Sequence, residues 1–293
     1  TLRGDRHGAE GNYAAMTIGS LRRGFPVVRV WTPGADQQLI GFFICFYCEG
    51  GDRMTMGRIH SWESMGLVDG PGIRTVIFLQ GCRLRCRYCH NPDTWELCGK
   101  GTLEPPEEIV DRLMRFKPYY GADGGVTFSG GEPLLQKEFL TEVLALCKSR
   151  GIHTCLDTAG AGCGGYGEIL KNTDLVLLDV KHYTPEGYKA VTGQSMDAYA
   201  EFLGTAQSME IPLWLRHVAV PGLTDGESHL AGLAEYIKGI RNVKRVELLP
   251  YHVLGVPKYH AMGIPYSLEG VPPMDAGVLA QWQERMDRSL ERE

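Results

Sequence analysis

The sequence predicts an α/β fold, a partial, laterally open (β/α)6 barrel, and three observations lead to this fold class. Six short runs of β-branched and aliphatic residues recur along residues 54–293, stretches of helical period separate them, and unusual polar residues follow the runs. Strands that alternate with helices pair in parallel, in either a doubly wound sheet or a barrel. Polar residues at the carboxyl end of each strand in turn favour the barrel, and six units instead of eight leave it open at one side.

The predicted strands are too short to be helices and are rich in Val, Ile, Leu and Thr. In chain order they cover residues 73–79, 126–129, 152–157, 175–179, 213–218 and 245–249. Between them, apolar residues recur at a spacing of about 3.6, which predicts amphipathic helices. These helices cover residues 104–117, 135–150, 195–209, 226–240 and 274–288.

The composition argues against several classes of protein. Hydrophobic residues make up 43% and charged residues 22% of the chain, which is ordinary for a globular protein. The formal net charge of −5 argues against broad electrostatic binding of nucleic acid. No run approaches the roughly 20 apolar residues that a membrane-spanning helix needs. Nine unevenly spaced cysteines argue against a secreted disulfide framework, so we expect a cytoplasmic protein.

Residues 1–53 differ from the rest of the chain, because no helical or strand periodicity persists in them. The alternation of strands and helices begins at Met54. We expect residues 1–53 to be an N-terminal extension outside the fold, disordered or translated from upstream sequence, and residues 54–293 to be the folded domain. Within the extension, Cys45 and Cys48 have the spacing of half a metal site, but no second pair accompanies them.

A cysteine triplet follows the first predicted strand. Cys82, Cys86 and Cys89 lie within eight residues. A four-iron cluster has four corners, so three cysteines would leave one corner open for a substrate. A zinc site that uses His90 as its fourth ligand, or thiols without any ligand, would satisfy the same spacing. The other cysteines of the domain, such as Cys98, are expected to be incidental thiols.

The triplet has the spacing C-x3-C-x2-C with Tyr88 before its last cysteine, and this resembles the signature of radical S-adenosylmethionine enzymes. Gly130, Gly131 and Glu132 resemble the GGE motif of that superfamily. Further segments resemble, in the same order, the activases of glycyl radical enzymes, and the short pyruvate formate-lyase type in particular. They cover residues 57–61, 69–74, 80–82, 88–95, 152–158, 179–181 and 247–252. The resemblance implies a partial barrel of the radical S-adenosylmethionine type.

The resemblance also implies the cofactors and their ligands. Cys82, Cys86 and Cys89 would ligate a [4Fe–4S] cluster whose open iron is chelated by S-adenosylmethionine, and with Lys181 they form the predicted catalytic set. The predicted cofactor-binding residues are Tyr88, Cys89, His90, Gly130, Gly131, Glu132, Asp179, Val180, Lys181 and His252. From the residues themselves, Asp179 could equally cap a helix, Lys181 could be a solvated charge and His252 could be a packed side chain.

Asp157, Thr158 and Asp179 resemble a monovalent-cation site of the same family. A hard cation prefers oxygen ligands, and two carboxylates at the ends of adjacent strands would supply them. The alternative is that these residues cap the ends of strands.

The resemblance implies an oxidoreductase of anaerobic metabolism. Reductive cleavage of S-adenosylmethionine would give a 5′-deoxyadenosyl radical, which removes a hydrogen atom from a glycine in a loop of pyruvate formate-lyase. Asp69 and the loop 253–266 are expected to contact that loop. We expect a flavodoxin or ferredoxin-like protein to donate the electron. Arg83, Arg85 and Arg87 could attract such an acidic donor, or they could equally form a solvated face of the loop. The alternatives are an activase of another glycyl radical enzyme and a zinc-stabilised binding module.

A chain that begins at Met54 tests the predicted domain boundary. Because the extension should contribute no residue to the fold or to the cysteine site, the shortened chain should bind as much cluster as the full chain and be as active. Iron and sulfide content after anaerobic reconstitution and the cleavage of S-adenosylmethionine provide the comparison. Loss of either property would contradict the boundary.

Overall fold

The computed structural model describes residues 16–19, 27–30 and 55–290, and the chain divides into two units, Thr1–Asp52 and Arg53–Glu293. In the first unit, β1 (Met16–Gly19) and β2 (Val27–Val30) form an antiparallel pair. Cys45 and Cys48 lie outside the described residues, as does most of the predicted extension at residues 1–53. The predicted extension therefore stays a prediction.

The second unit contains an eight-stranded sheet. All six predicted strands are present: β4 (Arg74–Leu79), β6 (Gly125–Gly130), β7 (His153–Thr158), β8 (Leu175–Asp179), β9 (Leu213–Ala219) and β10 (Val243–Pro250). They pair in parallel from β4 through to β10. Several are buried on both faces, which is typical of a parallel sheet covered by helices.

Two antiparallel strands that were not predicted complete this sheet. They are β3 (Gly57–Gly66), which pairs with β4, and β5 (Thr102–Glu104), which pairs with β3. The strand order is β10-β9-β8-β7-β6-β4-β3-β5, and within residues 55–290 its two end strands do not pair with each other. The sheet is therefore not closed, and the predicted partial, laterally open barrel is confirmed.

The helices pack around the parallel strands. They are α1 (Pro106–Phe116), α2 (Lys137–Ser149), α3 (Gly167–Leu170), α4 (Pro185–Thr192), α5 (Asp197–Ser208), α6 (Glu227–Lys238), α7 (Val256–Met262) and α8 (Ala276–Leu290). The five predicted helices are confirmed to within a few residues. The apolar face predicted for α2 is buried as a whole, from Phe139 to Cys147. The shorter α3, α4 and α7 have too few turns to show a helical period.

The described helices include none that is both long enough and apolar enough to cross a lipid bilayer.

Gln283 of α8 covers the free edge of β10. Its side-chain oxygen accepts a hydrogen bond from Leu248 N at 2.7 Å, and its side-chain nitrogen donates to Val246 O at 3.0 Å. These backbone groups belong to an edge strand, which would otherwise offer them to another chain. The side chain thus binds two backbone groups of β10 that a further strand at this edge would otherwise bind.

Replacing Gln283 by leucine should lower the free energy of unfolding by about 1–3 kcal/mol, because two half-buried backbone groups lose their partners. Urea unfolding followed by circular dichroism measures the change. Gln281→Leu makes the same substitution at an exposed position of the same helix and is the matched control. Equal midpoints for the two variants would contradict this role of Gln283.

Candidate active site

A cavity of about 610 Å³ lies at the carboxyl ends of the parallel strands. This volume is in the range of sites that bind small molecules and cofactors. Most of the predicted site residues line it: Cys82, Cys86, Tyr88, Cys89, His90, Gly130, Gly131, Asp157, Thr158, Asp179, Lys181 and His252. Glu132 and Val180 are not among its lining residues. Asp69, which was predicted to contact a partner, lies at the cavity as well.

The loop that carries the three cysteines is fixed by backbone hydrogen bonds to separate parts of the fold. Gly81 N donates to Thr94 O at 2.8 Å, and Arg85 N donates to Thr192 O at 2.8 Å. Cys82 and Cys86 are buried, and Cys89 is half-buried. Because the loop is attached at both sides, it holds three sulfur atoms beside the cavity without regular secondary structure of its own.

Burial alters the chemistry of these thiols. It raises the pKa of Cys82 to about 12 and that of Cys86 to about 11. It also raises the pKa of Cys89 above its ordinary value. The thiolate is the form that binds metal, so a positively charged metal centre must displace the protons. Without one, the three side chains are protonated thiols at neutral pH.

The described residues do not bring the cysteines and His90 together as the ligands of a single metal ion. Within residues 55–290, there is no group of three or more His, Cys, Asp or Glu side chains that could hold one metal ion. A zinc site formed by the triplet and His90 would need all four ligands within about 2.3 Å of one ion. The cysteines of a four-iron cluster bind different iron atoms, which allows wider spacing. The zinc alternative is therefore not favoured.

The glycine pair lets β6 approach the start of the cysteine loop. Gly130 has a φ of +116°, a value that favours glycine. A Cβ atom on Gly131 would lie 2.3 Å from the carbonyl oxygen of Gly81. The backbones are also bonded directly, because Glu132 N donates to Gly81 O at 2.9 Å. The absence of side chains at these two glycines thus allows the end of β6 to pack closely against the start of the cysteine loop.

The carboxylate of Glu132 supports the end of β7. It is 1% exposed and accepts hydrogen bonds from Thr158 Oγ1 at 2.5 Å and from the backbone nitrogens of Leu134, Ala159 and Ala161 at 3.1, 3.0 and 3.4 Å. Burial raises its pKa, although these hydrogen bonds act in the opposite direction. Its predicted role as a ligand of the cofactor stays a prediction.

Four half-buried charged side chains form a network at the carboxyl ends of β7 and β8 and in the adjacent β9. The Arg216 guanidinium bridges Asp157 Oδ1 and Asp179 Oδ1, the latter at 3.3 Å. Lys181 Nζ donates to Asp179 Oδ2 at 2.7 Å. Burial opposes ionisation of Asp179, but the two cations outweigh it and lower the pKa of that carboxyl. The network thus contains two acidic and two basic side chains, and each of them has a partner of opposite sign.

Arg216 was not predicted as a site residue, although it lines the cavity between Asp157 and Asp179. The signal that could have found it was its place late in a predicted strand, like the residues that were singled out. The predicted cation site overlaps this network. Thr158 donates to Glu132, and both carboxylates already face cationic side chains. Binding of a monovalent cation there stays a prediction.

Aromatic side chains form another wall of the cavity. The rings of His90 and His252 stack with centroids 3.8 Å apart, and His90 Nε2 donates to His252 O at 3.2 Å. Burial, together with the nearby His252, lowers the pKa of His90 to about 4, so it is neutral at pH 7. The hydroxyl of Tyr88 is buried without a hydrogen-bond partner among the described residues.

These features fit the cofactors implied by the motifs. Three buried sulfur atoms can hold three corners of a cluster. The cavity beside them is large enough for a nucleoside and contains fixed charges of both signs, as a zwitterionic amino acid requires. Tyr88 lines the same cavity, and its buried hydroxyl has no hydrogen-bond partner among the described residues.

The fold and the cysteine loop define a radical S-adenosylmethionine enzyme, and residues 76–234 match the model of the radical SAM superfamily. The chain is 57% identical over 223 residues to a pyruvate formate-lyase-activating enzyme of Clostridium pasteurianum, covering 76% of this chain and 93% of that protein. It is 46% identical to that of Staphylococcus epidermidis, covering 76% and 92%. Within the radical SAM superfamily, the chain belongs to the family of pyruvate formate-lyase-activating enzymes.

A solved structure shows the same fold. The structure of Streptococcus suis SuiB bound to the precursor peptide SuiA superposes with a TM-score of 0.57 at 15% sequence identity. The match covers 72% of this chain and 44% of that one. At this identity, the likeness concerns the fold.

Arg216→Met should lower the free energy of unfolding at pH 7 by about 3 kcal/mol, because it leaves the carboxylate of Asp157 without its cationic partner. The difference in free energy of unfolding between this variant and the unaltered chain should become smaller as the pH falls from 7 to 5. Without the guanidinium, the pKa of the facing carboxyls rises, so the folded variant binds protons more readily than the unfolded chain does. Urea unfolding at several pH values measures both effects.

Arg245→Met is the matched control, because Arg245 forms an exposed ion pair with Glu247. Exposed pairs contribute little, so this variant should differ from the unaltered chain by less than about 1 kcal/mol at every pH. If the two variants have the same stability, the network at Arg216 does not stabilise the ends of the strands.

Proposed function

We propose that this chain activates pyruvate formate-lyase by generating a glycyl radical on it. The observation that carries the proposal is the three-cysteine loop, which opens on a cavity lined by fixed charges at the carboxyl edge of an open barrel. The curated relatives, which align over nine-tenths of their own length, are named for this activity.

The chemistry supplied by the bound cluster and S-adenosylmethionine is reductive cleavage to methionine and a 5′-deoxyadenosyl radical, which takes a hydrogen atom from a glycine of the partner. The residues of this chain hold and orient the reactants. Cys82, Cys86 and Cys89 hold the cluster, and the charges of Asp179 and Lys181 face the cavity in which S-adenosylmethionine binds. The walls of the cavity would limit the access of water to the bound cofactor.

The opening of the barrel is where the glycine loop of the partner would enter. Asp69 and its neighbour Val68 line the cavity, and Val68 is 78% exposed. Leu254, in the predicted contact loop 253–266, is 79% exposed. Exposed apolar side chains beside a cavity are typical of a surface that binds a polypeptide. The exposure of these two apolar side chains is consistent with the proposed polypeptide substrate.

The electron donor in this proposal is a flavodoxin or ferredoxin-like protein. Arg83 and Arg85 are exposed on the cysteine loop, and Arg87 is half-buried. An acidic donor would be attracted to these charges, close to the cluster it reduces. A cytoplasmic location is part of the same proposal, because reduced thiols and a low-potential donor belong to that compartment.

The proposal is tested with the full chain reconstituted anaerobically with iron and sulfide. With a reductant, S-adenosylmethionine and pyruvate formate-lyase, it should release methionine and 5′-deoxyadenosine and give a glycyl radical signal in electron paramagnetic resonance. Cys86→Ser should abolish both, because one cluster ligand is lost. Cys98→Ser, at an exposed cysteine away from the cavity, should retain both.

Two other results would overturn the proposal in different ways. Colourless protein that binds one zinc ion and cleaves nothing would support a zinc-stabilised binding module. Cleavage of S-adenosylmethionine, with a radical on a different glycyl radical enzyme and none on pyruvate formate-lyase, would support an activase of that other enzyme.

A further inference from the structure

Two adjacent residues of β9, whose side chains lie on opposite faces of the strand, form hydrogen bonds to the segment Asp179–Lys181. The side chain of Arg216 points into the cavity and bonds Asp179, while its backbone oxygen accepts from Val180 N at 2.8 Å. The next residue, His217, points to the opposite face, as alternation along a strand requires. It is 1% exposed, and its Nδ1 lies 2.6 Å from Val180 O.

A second histidine completes this arrangement behind the strand. Nε2 of His229, in the first turn of α6, lies 3.1 Å from Nε2 of His217. Because a carbonyl oxygen only accepts, Nδ1 of His217 must carry the hydrogen that Val180 O receives. In neutral His217, Nε2 is then an acceptor, and Nε2 of His229 donates to it. The order of donation therefore runs from His229 to His217 to Val180.

The surroundings keep both imidazoles neutral. Burial lowers the pKa of His217 to about 4, against hydrogen bonds to the backbone of Val180 and Thr224. Burial, together with His217 and His182, lowers the pKa of His229 to about 3. The ring of His182 lies 5.0 Å from that of His229.

We propose that His217 and His229 are positioning residues that fix the carbonyl of Val180 and thereby aim Asp179 and Lys181 at the cofactor. The part of the proposal that concerns the cofactor rests on the proposed function. Val180 lies between the two charged residues and is 1% exposed, so its backbone cannot rotate without moving both of them. A fixed backbone at this point keeps Lys181 within reach of Asp179 and close to the ring of Tyr88.

Space filling alone does not explain a histidine at position 217. A leucine would fill a similar volume beside the neighbouring apolar residues, but it would leave Val180 O buried without a donor. The geometry also selects one nitrogen of the ring. The amide nitrogen of asparagine is attached to Cγ, as Nδ1 of histidine is, whereas the amide nitrogen of glutamine corresponds to Nε2. Asparagine at position 217 should therefore keep the hydrogen bond to Val180 O, whereas glutamine should keep only the one that involves His229.

The experiment compares His217→Asn with His217→Gln in the full chain. His217→Gln should bind S-adenosylmethionine about tenfold more weakly after reconstitution, because the donor to the buried carbonyl is lost. It should raise KM by a similar factor and change kcat by a smaller one. His217→Asn should restore binding to within about threefold of the unaltered chain, since the donor to Val180 remains.

Amide hydrogen exchange provides a readout that does not depend on the cofactor. In a peptide that covers residues 176–183, His217→Gln should accelerate exchange about tenfold, because the bond between Val180 N and Arg216 O opens more often. His217→Asn should retain protection. The measurement is made on the full chain before and after reconstitution.

Variants of His229 distinguish the hydrogen bonds in the same way, and they provide the test if His217→Gln fails to fold. His229→Gln keeps a donor near the Nε2 position and should behave like the unaltered chain, whereas His229→Asn should show part of the loss. Equal exchange and affinity in His217→Asn and His217→Gln would overturn the proposal. An unaltered chain that does not cleave S-adenosylmethionine would overturn the proposed function, while the exchange data would still test the positioning.

Discussion

The structure depends on one half-buried charge network, in which Arg216 joins Asp157 to Asp179 and Asp179 pairs with Lys181. Asp157, Asp179 and Lys181 stand at or just after the carboxyl ends of β7 and β8, and Arg216 lies level with Asp179 in the adjacent β9, so the network ties these three strands together. Parallel pairing makes this possible, because it brings all carboxyl ends to one edge of the sheet. Buried charges are tolerated when they are paired, and here every charge has a partner of opposite sign.

The cysteine loop is attached to the same edge by a second, purely steric device. The missing side chain of Gly130 allows the end of β6 to lie against Leu79 of β4, and that of Gly131 allows it to lie against Gly81 at the start of the loop, while Glu132 fixes the residues after β7. The cluster ligands and the charged network are therefore set relative to one another through backbone hydrogen bonds. The GGE motif has a structural purpose that is independent of any bound molecule.

Much of this arrangement could be predicted from the sequence, and the omissions have physical reasons. Six parallel strands were visible because strands buried on both faces are continuous apolar runs. The antiparallel β3 has polar and exposed residues such as Glu63, and it lacks such a run. Motifs identified Glu132 and Val180 but not their orientation, because the direction of a side chain follows from tertiary packing. Arg216 and His217 stand out as polar residues late in a predicted strand, but their roles were not predicted, since adjacent residues of one strand serve opposite faces.

The central claim is that the cysteine loop holds a cluster with one open iron, and that S-adenosylmethionine binds this iron in the cavity beside the charged network. Electron–nuclear double resonance on the reduced, reconstituted chain tests it most directly, with S-adenosylmethionine that carries 15N at its amino group. The account predicts a hyperfine coupling between that nitrogen and the cluster. A reduced cluster that shows no such coupling when S-adenosylmethionine is bound would contradict the account.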